Sequence, residues 1–565
     1  MSIIKKLLNL KPAETTIFFV ILAIRIFNAL TIRTFFQPDE YYQALEPAYA
    51  VVFHTDGFTW EWRQKLRSFN YPLLFALGYK VLEMLGLSDN DLLIIDVPKV
   101  LQSFISSLGE LYLYKFIFKI SNSVELSNIT LFLSLVSSFN WFFITRTFSN
   151  NVEMVLTIVG IYYWPIESLS SSIEIKRLNN ISNYISAIIF ATMACLVRPT
   201  NVIVWGFLGI NLCTRLDGLV YKLKVLLVTL LTASIVIMIN VVIDYWFYST
   251  LTFPILNFIE FNFIKSLSQF YGVNSLDFYL TQLIPVLSNT YLPCFIWGIY
   301  SVIINKKNGS LDKKDKKLYD ILFNILILCI FDIFVFSLIK HKEFRFIYPL
   351  NPFFLIFVSL GFLRMIKMLK SAIFRYLFIY IIILVNFSLG FYLTRYHESG
   401  VIGITSVLKQ QLQQMKLTNE PCSIGFLMPC HSTPYYSYLN VGNTSDIDIW
   451  SLTCEPPLDI EKSSDLATYK DESDWFYHNP MLFLKRNFPN EVVYDNDNDN
   501  DNDKMAIYKH DWPNFLVIFE DLEKEIIDYL QKNGYEEINR LFNTRAHWDS
   551  RRRGDVILYA KRELK

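Results

Sequence analysis

Two adjacent carboxylates, Asp39 and Glu40, stand in the stretch Phe35-Phe36-Gln37-Pro38-Asp39-Glu40-Tyr41-Tyr42, directly after the first long apolar run. A carboxylate within hydrocarbon costs roughly 2.5–3.5 kcal/mol, so the pair belongs at the lipid–water boundary or in a wet cavity. Pro38 lacks an N–H and biases Gln37 away from helix, which predicts a helix end there. Taken alone, such a pair reads as a polar helix exit.

A second stretch, His341-Lys342-Glu343-Phe344-Arg345-Phe346-Ile347-Tyr348-Pro349, crowds cations at the mouth of two apolar runs. Lys as a point charge and Arg as a planar fork are the usual phosphate binders, and at a membrane the phosphate can belong to a lipid. The plainer reading is snorkelling to headgroups, or Glu343 pairing with Lys342 or Arg345. An acidic and a cationic stretch on one face supply a base and a leaving-group binder, which suits group transfer from a lipid phosphate. One carboxylate acting as base in a single displacement inverts the sugar centre. No GxGxxG or Walker loop is present, which argues against a soluble nucleotide-sugar donor.

These stretches need elements to hold them. The 565-residue chain is 53% hydrophobic, 16% aromatic and 18% charged, the composition of a membrane protein. Its Lys+Arg and Asp+Glu counts are both 52, so no general attraction to nucleic acid follows. Lys5, Lys6 and Lys11 precede an apolar run from about Thr15 to Ile32, predicting an uncleaved first span with a cytoplasmic N-terminus. Further spans are predicted at 100–118, 128–147, 152–170, 182–198, 200–214, 222–245, 280–304, 319–339, 346–364 and 374–394.

Lys306, Lys307, Lys313, Lys314, Lys316 and Lys317 mark one cytoplasmic loop; Arg364, Lys367, Lys370 and Arg375 mark another. Counting out from them reconciles with a luminal Asp39 if Tyr71 to Leu87, broken by Pro72, Gly78, Lys80 and Glu83, lies in the interface instead of crossing. About eleven crossings result, with a first luminal loop over 33–99. Asp39-Glu40, Arg146 to Glu153 (including Asn150), Arg198 to Asn201, and His341 to Arg345 then fall on one face. Together with Gln37 they suggest a shared aqueous site.

Beyond about residue 395 the chain turns polar and alternates strand-like and helical runs, predicting a luminal α/β domain over 396–565. The Asp/Asn alternation at 495–503 lacks the glycine and glutamate of a calcium loop and is expected to be a solvated, disordered insert. Asn443-Thr444-Ser445 is the attractive glycan acceptor. Cys195, Cys213, Cys294 and Cys329 read as small buried hydrophobes, and one disulfide among Cys422, Cys430 and Cys454 is open as to pairing. No spacing suggests a metal site.

His341 to Ile347 with Phe36-Gln37-Pro38-Asp39-Glu40 resembles the glycosyltransferase family 22 mannosyltransferases, which have a GT-C fold. Within them the chain is most similar to the branch that adds the third mannose of the GPI anchor. That likeness rests on Thr59-Trp60-Glu61-Trp62, Leu66-Arg67-Ser68, Thr145 to Asn150, Arg198-Pro199-Thr200, Thr252 to Phe258, Phe270-Tyr271-Gly272, Tyr279 to Gln282, Met428 to Tyr436 and Arg551 to Val556. The resemblance implies a multi-pass protein of the endoplasmic reticulum membrane whose donor is dolichyl-phosphate mannose, with no other cofactor, and whose acceptor is a GPI-precursor glycolipid. It further implies transfer of an α1,2-linked mannose to the second mannose, with Asp39 as base and Glu40 helping to position it. His341, Lys342 and Arg345 would bind the donor phosphate. Asn151 and Asn274-Ser275-Leu276-Asp277 depart from the family's pattern. Sister enzymes acting on a dolichol-linked glycan or adding a fourth GPI mannose share this chemistry, and a lipid scramblase is the rival from another class.

Overall fold

Apolar runs of bilayer length fold as helices because no other open structure satisfies its own backbone in lipid. A computed structural model of the chain describes residues 11–170, 175–265, 267–308, 311–416, 422–441, 447–458, 469–489 and 508–562. Asn443 and the 495–503 insert lie outside them. Seven described helices are long and apolar enough to cross a membrane, from Glu14–Thr31 and Asp91–Ser121 to the C-terminal Ala372–Met415 run. The remaining predicted spans are shorter. The 128–147 segment breaks at Ser137 into Val124–Val136 and Ser138–Phe143, and the next three are Ser149–Tyr163, Ile181–Val197 and Val202–Arg215.

A helix of 15 residues such as Ser149–Tyr163 reaches about 22 Å, less than the ~30 Å hydrocarbon core. Irregular backbone at that depth is tolerated where protein buries it or where it lines a wet cavity, and the ends of these short helices carry Arg146, Glu153 and Arg198. Asn70–Met84 buries Tyr71, Phe75, Tyr79 and Leu82 and leaves Leu77, Val81 and Met84 exposed, the two-sided pattern of an interfacial helix. The following helix begins at Asp91.

Small residues bring membrane helices into backbone contact. A Cβ at Gly298 would lie 1.9 Å from the Phe357 carbonyl oxygen, and one at Gly361 1.8 Å from that of Cys294. Helices Leu292–Lys307 and Asn351–Met368 therefore touch main chain to main chain. Cys294 and Cys329 are buried as expected, Cys195 only partly; Cys213 is exposed, on an outward face of its apolar helix.

The C-terminal region forms a five-stranded sheet, β1 (Cys422–Phe426), β2 (Ile447–Ser451), β3 (Phe515–Phe519), β4 (Tyr535–Thr544) and β5 (Gly554–Lys561), in the order β2-β1-β3-β5-β4. β1 pairs in parallel with β2 and β3, and β5 antiparallel with β3 and β4. β3 is apolar throughout because both faces are covered. Leu516 and Ile518 join helices Pro480–Asn487 and Glu520–Lys532 in one core. Phe515, Val517 and Phe519 join helix Gly400–Lys416 and, from the first loop, Phe35, Tyr41, Tyr42 and Tyr49 in another. The first loop thus shares a core with the sheet and does not simply cap the membrane helices.

Candidate functional site

Helix Glu14–Thr31 ends where Ile32 turns extended, and Arg33 and Phe35 donate their N–H groups to the carbonyls of Thr394 and Glu398, both at 2.9 Å. Pro38 then starts a new helical turn instead of merely ending the old one, since its carbonyl accepts from the N–H groups of Tyr41 and Tyr42. The expectation of a plain polar exit is corrected here. Asp39 and Glu40 occupy the first turn of a helix running through Tyr41–Leu45 into Glu46–Phe53, where negative charge is favoured.

Their partners differ. Asp39 Oδ2 contacts Arg345 Nη1 directly. Glu40 is buried and accepts from Arg146 Nη1 at 2.8 Å, and burial pushes its carboxyl up despite that partner. Arg146 also donates to the Phe142 carbonyl at 2.8 Å, the Thr34 carbonyl at 2.7 Å and Thr34 Oγ1 at 2.7 Å. Its guanidinium clamps the loop and has little left for a ligand. Asn151 anchors the same turn by donating to the carbonyls of Phe143 and Arg146.

The cationic stretch is organised around Glu343, which takes Arg345 through Nε and Nη2, both at 2.8 Å, and His341 Nε2 at 3.2 Å. Of the two partners weighed for Glu343, Arg345 is the one present; Lys342 turns away and donates to the Asn274 carbonyl at 3.0 Å. Asn274 returns a bond from Nδ2 to the Lys342 carbonyl at 2.8 Å, so the loop that departs from the family pattern fixes the cationic backbone. Burial alone would raise Glu343, but Arg345 and His341 outweigh it and hold the carboxyl well below the usual range. Burial works against the Arg345 charge, yet Asp39 and Glu343 push it up further.

Behind this layer Glu153 accepts from Asn201 Nδ2 at 3.0 Å and from Asn150 Nδ2 at 3.4 Å, with Arg198 Nε at 3.9 Å. Arg198 and Arg345 both lie over the Phe346 ring. Gln37 Oε1 and Asn150 Oδ1 are buried with no hydrogen-bond partner among the described residues, the state of acceptors that await one. Of the candidate residues named from the sequence, Arg345 and Arg146 touch Asp39 and Glu40 directly, Arg198 and the His341–Glu343 pair lie next to them, and the side chain of Lys342 points elsewhere, towards Asn274.

Sequence reasoning missed three groups. Arg67, paired with Glu61 at 2.7 Å, is electrostatically coupled to Asp39 and Arg345. His431 packs its ring 4.3 Å from that of Tyr42, and Arg552 lies over Phe35 at 5.8 Å. All three sit in motifs that carried the family resemblance, which was the available signal. The disulfide left open is Cys430–Cys454, and Cys422 is a buried thiol in β1. Cys430, His431 and Cys454 cluster as metal ligands would, but both sulfurs are committed to that bond.

A carboxylate in contact with a guanidinium, backed by further cations and open acceptors, can take a proton beside a bound phosphate. Known proteins resemble this chain over nearly its whole length. Over 96% of this chain and 92% of its own length, GPI mannosyltransferase 3 of Debaryomyces hansenii is 41% identical. The same-named proteins of Candida albicans and Saccharomyces cerevisiae are 39% and 35% identical over 96% and 98% of this chain, and 98% and 96% of their own. The crystal structure of ArnT from Cupriavidus metallidurans bound to undecaprenyl phosphate superposes with a TM-score of 0.53 at 11% identity, covering 96% of this chain and 97% of that one. That likeness shows the shared GT-C fold. The sequence model of the Alg9-like mannosyltransferase family matches residues 16–440, and the chain belongs to that family.

Proposed function

We propose that this mannosyltransferase moves mannose from dolichyl-phosphate mannose to the second mannose of a GPI precursor, forming an α1,2 linkage as the third mannose of the glycan. The observation that carries the reading is the direct contact of Asp39 with Arg345, which puts a base and a phosphate binder at one point. The names of the relatives support the acceptor, and the polyprenyl phosphate in the ArnT structure supports a lipid-linked donor.

In the proposed step the donor phosphate takes Arg345, with Lys342 and His341 adding charge, and frees the Asp39 carboxylate. Asp39 accepts the proton of the acceptor 2-hydroxyl as its oxygen bonds to C1 of the donor mannose from the face opposite the phosphate. The C1–O bond to phosphate breaks, its electron pair leaves with the phosphate, and a β-linked donor gives an α-linked product. Glu40, tied to Arg146, fixes the turn that aims Asp39. The site and the C-terminal domain face the lumen of the endoplasmic reticulum in this reading, which the Cys430–Cys454 disulfide suits.

Microsomes lacking their own enzyme, given this chain, labelled dolichyl-phosphate mannose and a two-mannose GPI intermediate, should yield a three-mannose lipid sensitive to α1,2-mannosidase. Label in a dolichol oligosaccharide instead would move the chain to a sister reaction. Label movement without any new glycosidic bond would make it a transporter.

A further inference from the structure

The guanidinium groups on the donor side of Asp39 all have carboxylate partners: Arg345 has Asp39 and Glu343, Arg67 has Glu61, Arg146 has Glu40 and Arg198 has Glu153. The opposite wall comes from the C-terminal domain, and there two polar side chains packed on Tyr42 and Phe35 keep unused hydrogen-bonding capacity among the described residues.

His431 sits between the Cys430–Cys454 disulfide and Tyr42, on a left-handed backbone with φ of 56°. That conformation is costly for a residue with a Cβ and points to a held orientation. Its Nδ1 lies 3.7 Å from Cys454 Sγ, while Nε2 has no hydrogen bond among the described residues. Tyr42, against which the ring packs, is itself fixed by donating from its hydroxyl to the Thr433 carbonyl at 2.7 Å. Arg552 is half-buried over Phe35 and has no hydrogen bond from its guanidinium and no ion pair among the described residues. The carboxylates that influence it are taken: Glu398 by His547 at 2.9 Å and Asp549 by Arg551 at 2.9 Å. A partly buried guanidinium left this way is costly to the fold alone and suited to an incoming anion.

We propose that His431 and Arg552 form the acceptor subsite, His431 Nε2 taking a hydroxyl of the acceptor sugar and Arg552 a phosphate of the acceptor glycolipid. This rests on the reading of the chain as a transferase to a phosphate-bearing glycolipid. Burial pushes the His431 imidazole down to about 4, with Asp39 opposing the effect and Arg552 adding to it, so the ring is neutral; the disulfide sulfur beside Nδ1 has no proton to give, which puts the ring proton on Nδ1 and leaves Nε2 as the acceptor. Tyr42 lies on the helical turn that carries Asp39 and Phe35 on the extended segment leading into it, so the rings that seat the two side chains flank the base.

The test is steady-state transfer by the full chain in microsomes, with acceptor and donor varied separately. Arg552→Gln should raise the acceptor KM about tenfold or more, the loss of a charge-assisted hydrogen bond, with donor KM unchanged and partial recovery in Arg552→Lys. With a phosphate-free alkyl dimannoside as acceptor, wild type and Arg552→Gln should not differ. Acceptors phosphorylated only at the lipid or only on the glycan separate the two sources, since the one whose KM moves carries the recognised group. His431→Gln should raise KM for every acceptor.

In wild type, acceptor but not donor should protect His431 from diethyl pyrocarbonate, a readout that does not depend on any variant folding. Unshifted acceptor KM in folded variants, a parallel rise in donor KM, or His431 modified at the same rate with acceptor bound would overturn the subsite. Absence of wild-type transfer to the two-mannose lipid would instead sink the parent reading.

Discussion

Two ion pairs of this molecule, one buried and one partly so, are chemically alike and differently finished. Arg25 and Glu110 join helices Glu14–Thr31 and Asp91–Ser121, with side chains 0% and 2% exposed. Arg25 Nε meets Glu110 Oε2 at 2.7 Å and its Nη2 reaches the Ser134 carbonyl at 3.2 Å. Ser134 Oγ donates to Glu110 Oε1 and accepts from Asn140 Nδ2 at 3.0 Å. Tyr348 and Asn351 donate to Asn140 Oδ1 in turn. Around Asp39 and Arg345, by contrast, Gln37 Oε1 and Asn150 Oδ1 have no hydrogen bond among the described residues. An ionisable residue inside a span is a functional hypothesis by default, yet Arg25–Glu110 is a staple. Completeness of the surrounding hydrogen bonds separates scaffold from site.

The sharpest way to break that distinction is to remove one acid from each pair. Asp39→Asn should cut turnover by about 10² to 10⁴ and leave the thermal midpoint in detergent unchanged, because Arg345 keeps Glu343. Glu110→Gln should do the reverse, stranding Arg25 in a closed interior at about 3–5 kcal/mol and depleting folded protein. Arg25→Met with Glu110→Met should recover much of that stability. A catalytic defect in well-folded Glu110→Gln would erase the contrast.

Arg345→Gln comes next. It removes the cation that touches the base and should lower kcat by about 10² to 10³ in the microsomal assay, with less effect on stability than Glu110→Gln. A loss confined to donor KM would restrict Arg345 to ground-state binding.

A smaller effect is expected at Glu46, which lies on neither side of the contrast. Its carboxylate accepts from the N–H groups of Tyr435, Tyr436 and Ser437 and from Ser437 Oγ, tying the first loop to the C-terminal domain. Glu46→Ala strands those donors and should cost about 1–3 kcal/mol, read as a lower melting midpoint. Activity per folded molecule measured in the same samples would then report whether docking of the domain matters to turnover.

The two candidate stretches are legible because charge is rare beside apolar runs, so Asp39-Glu40 and His341 to Arg345 stand out by context alone. The long spans were legible for the same reason. The short helices were not: their apolar runs continue into the irregular turns that bear Arg146 and Arg198, so sequence extended them. Pro38 predicts a stop because the rule about the residue before proline is local, whereas the new turn is held by Tyr41 packing on Tyr438 and by Tyr42 packing on His431 and Tyr435 and donating to the Thr433 carbonyl, almost four hundred residues away. His431, Arg552 and Arg67 carry no contextual signal, since polar residues in a polar domain or loop are ordinary. Only packing reveals that they converge.

The mildest expected effect concerns the charge of His341. Burial alone would lower its pKa, but the hydrogen bond and charge of Glu343, with the Gly272 carbonyl, raise it above the ordinary 6.5. A histidine raised in the fold contributes stability that is full below its unfolded pKa and is lost as pH rises through the folded value. The same titration withdraws one positive charge from the proposed donor-phosphate site, so kcat/KM for the donor should fall as pH climbs through that value, above 6.5. His341→Gln should show a flatter profile, lower than wild type at pH 6 by about three- to tenfold and converging with it at alkaline pH. Identical profiles would mean that Glu343 neutralises His341 completely, and that only Lys342 and Arg345 of the cationic stretch act on the phosphate.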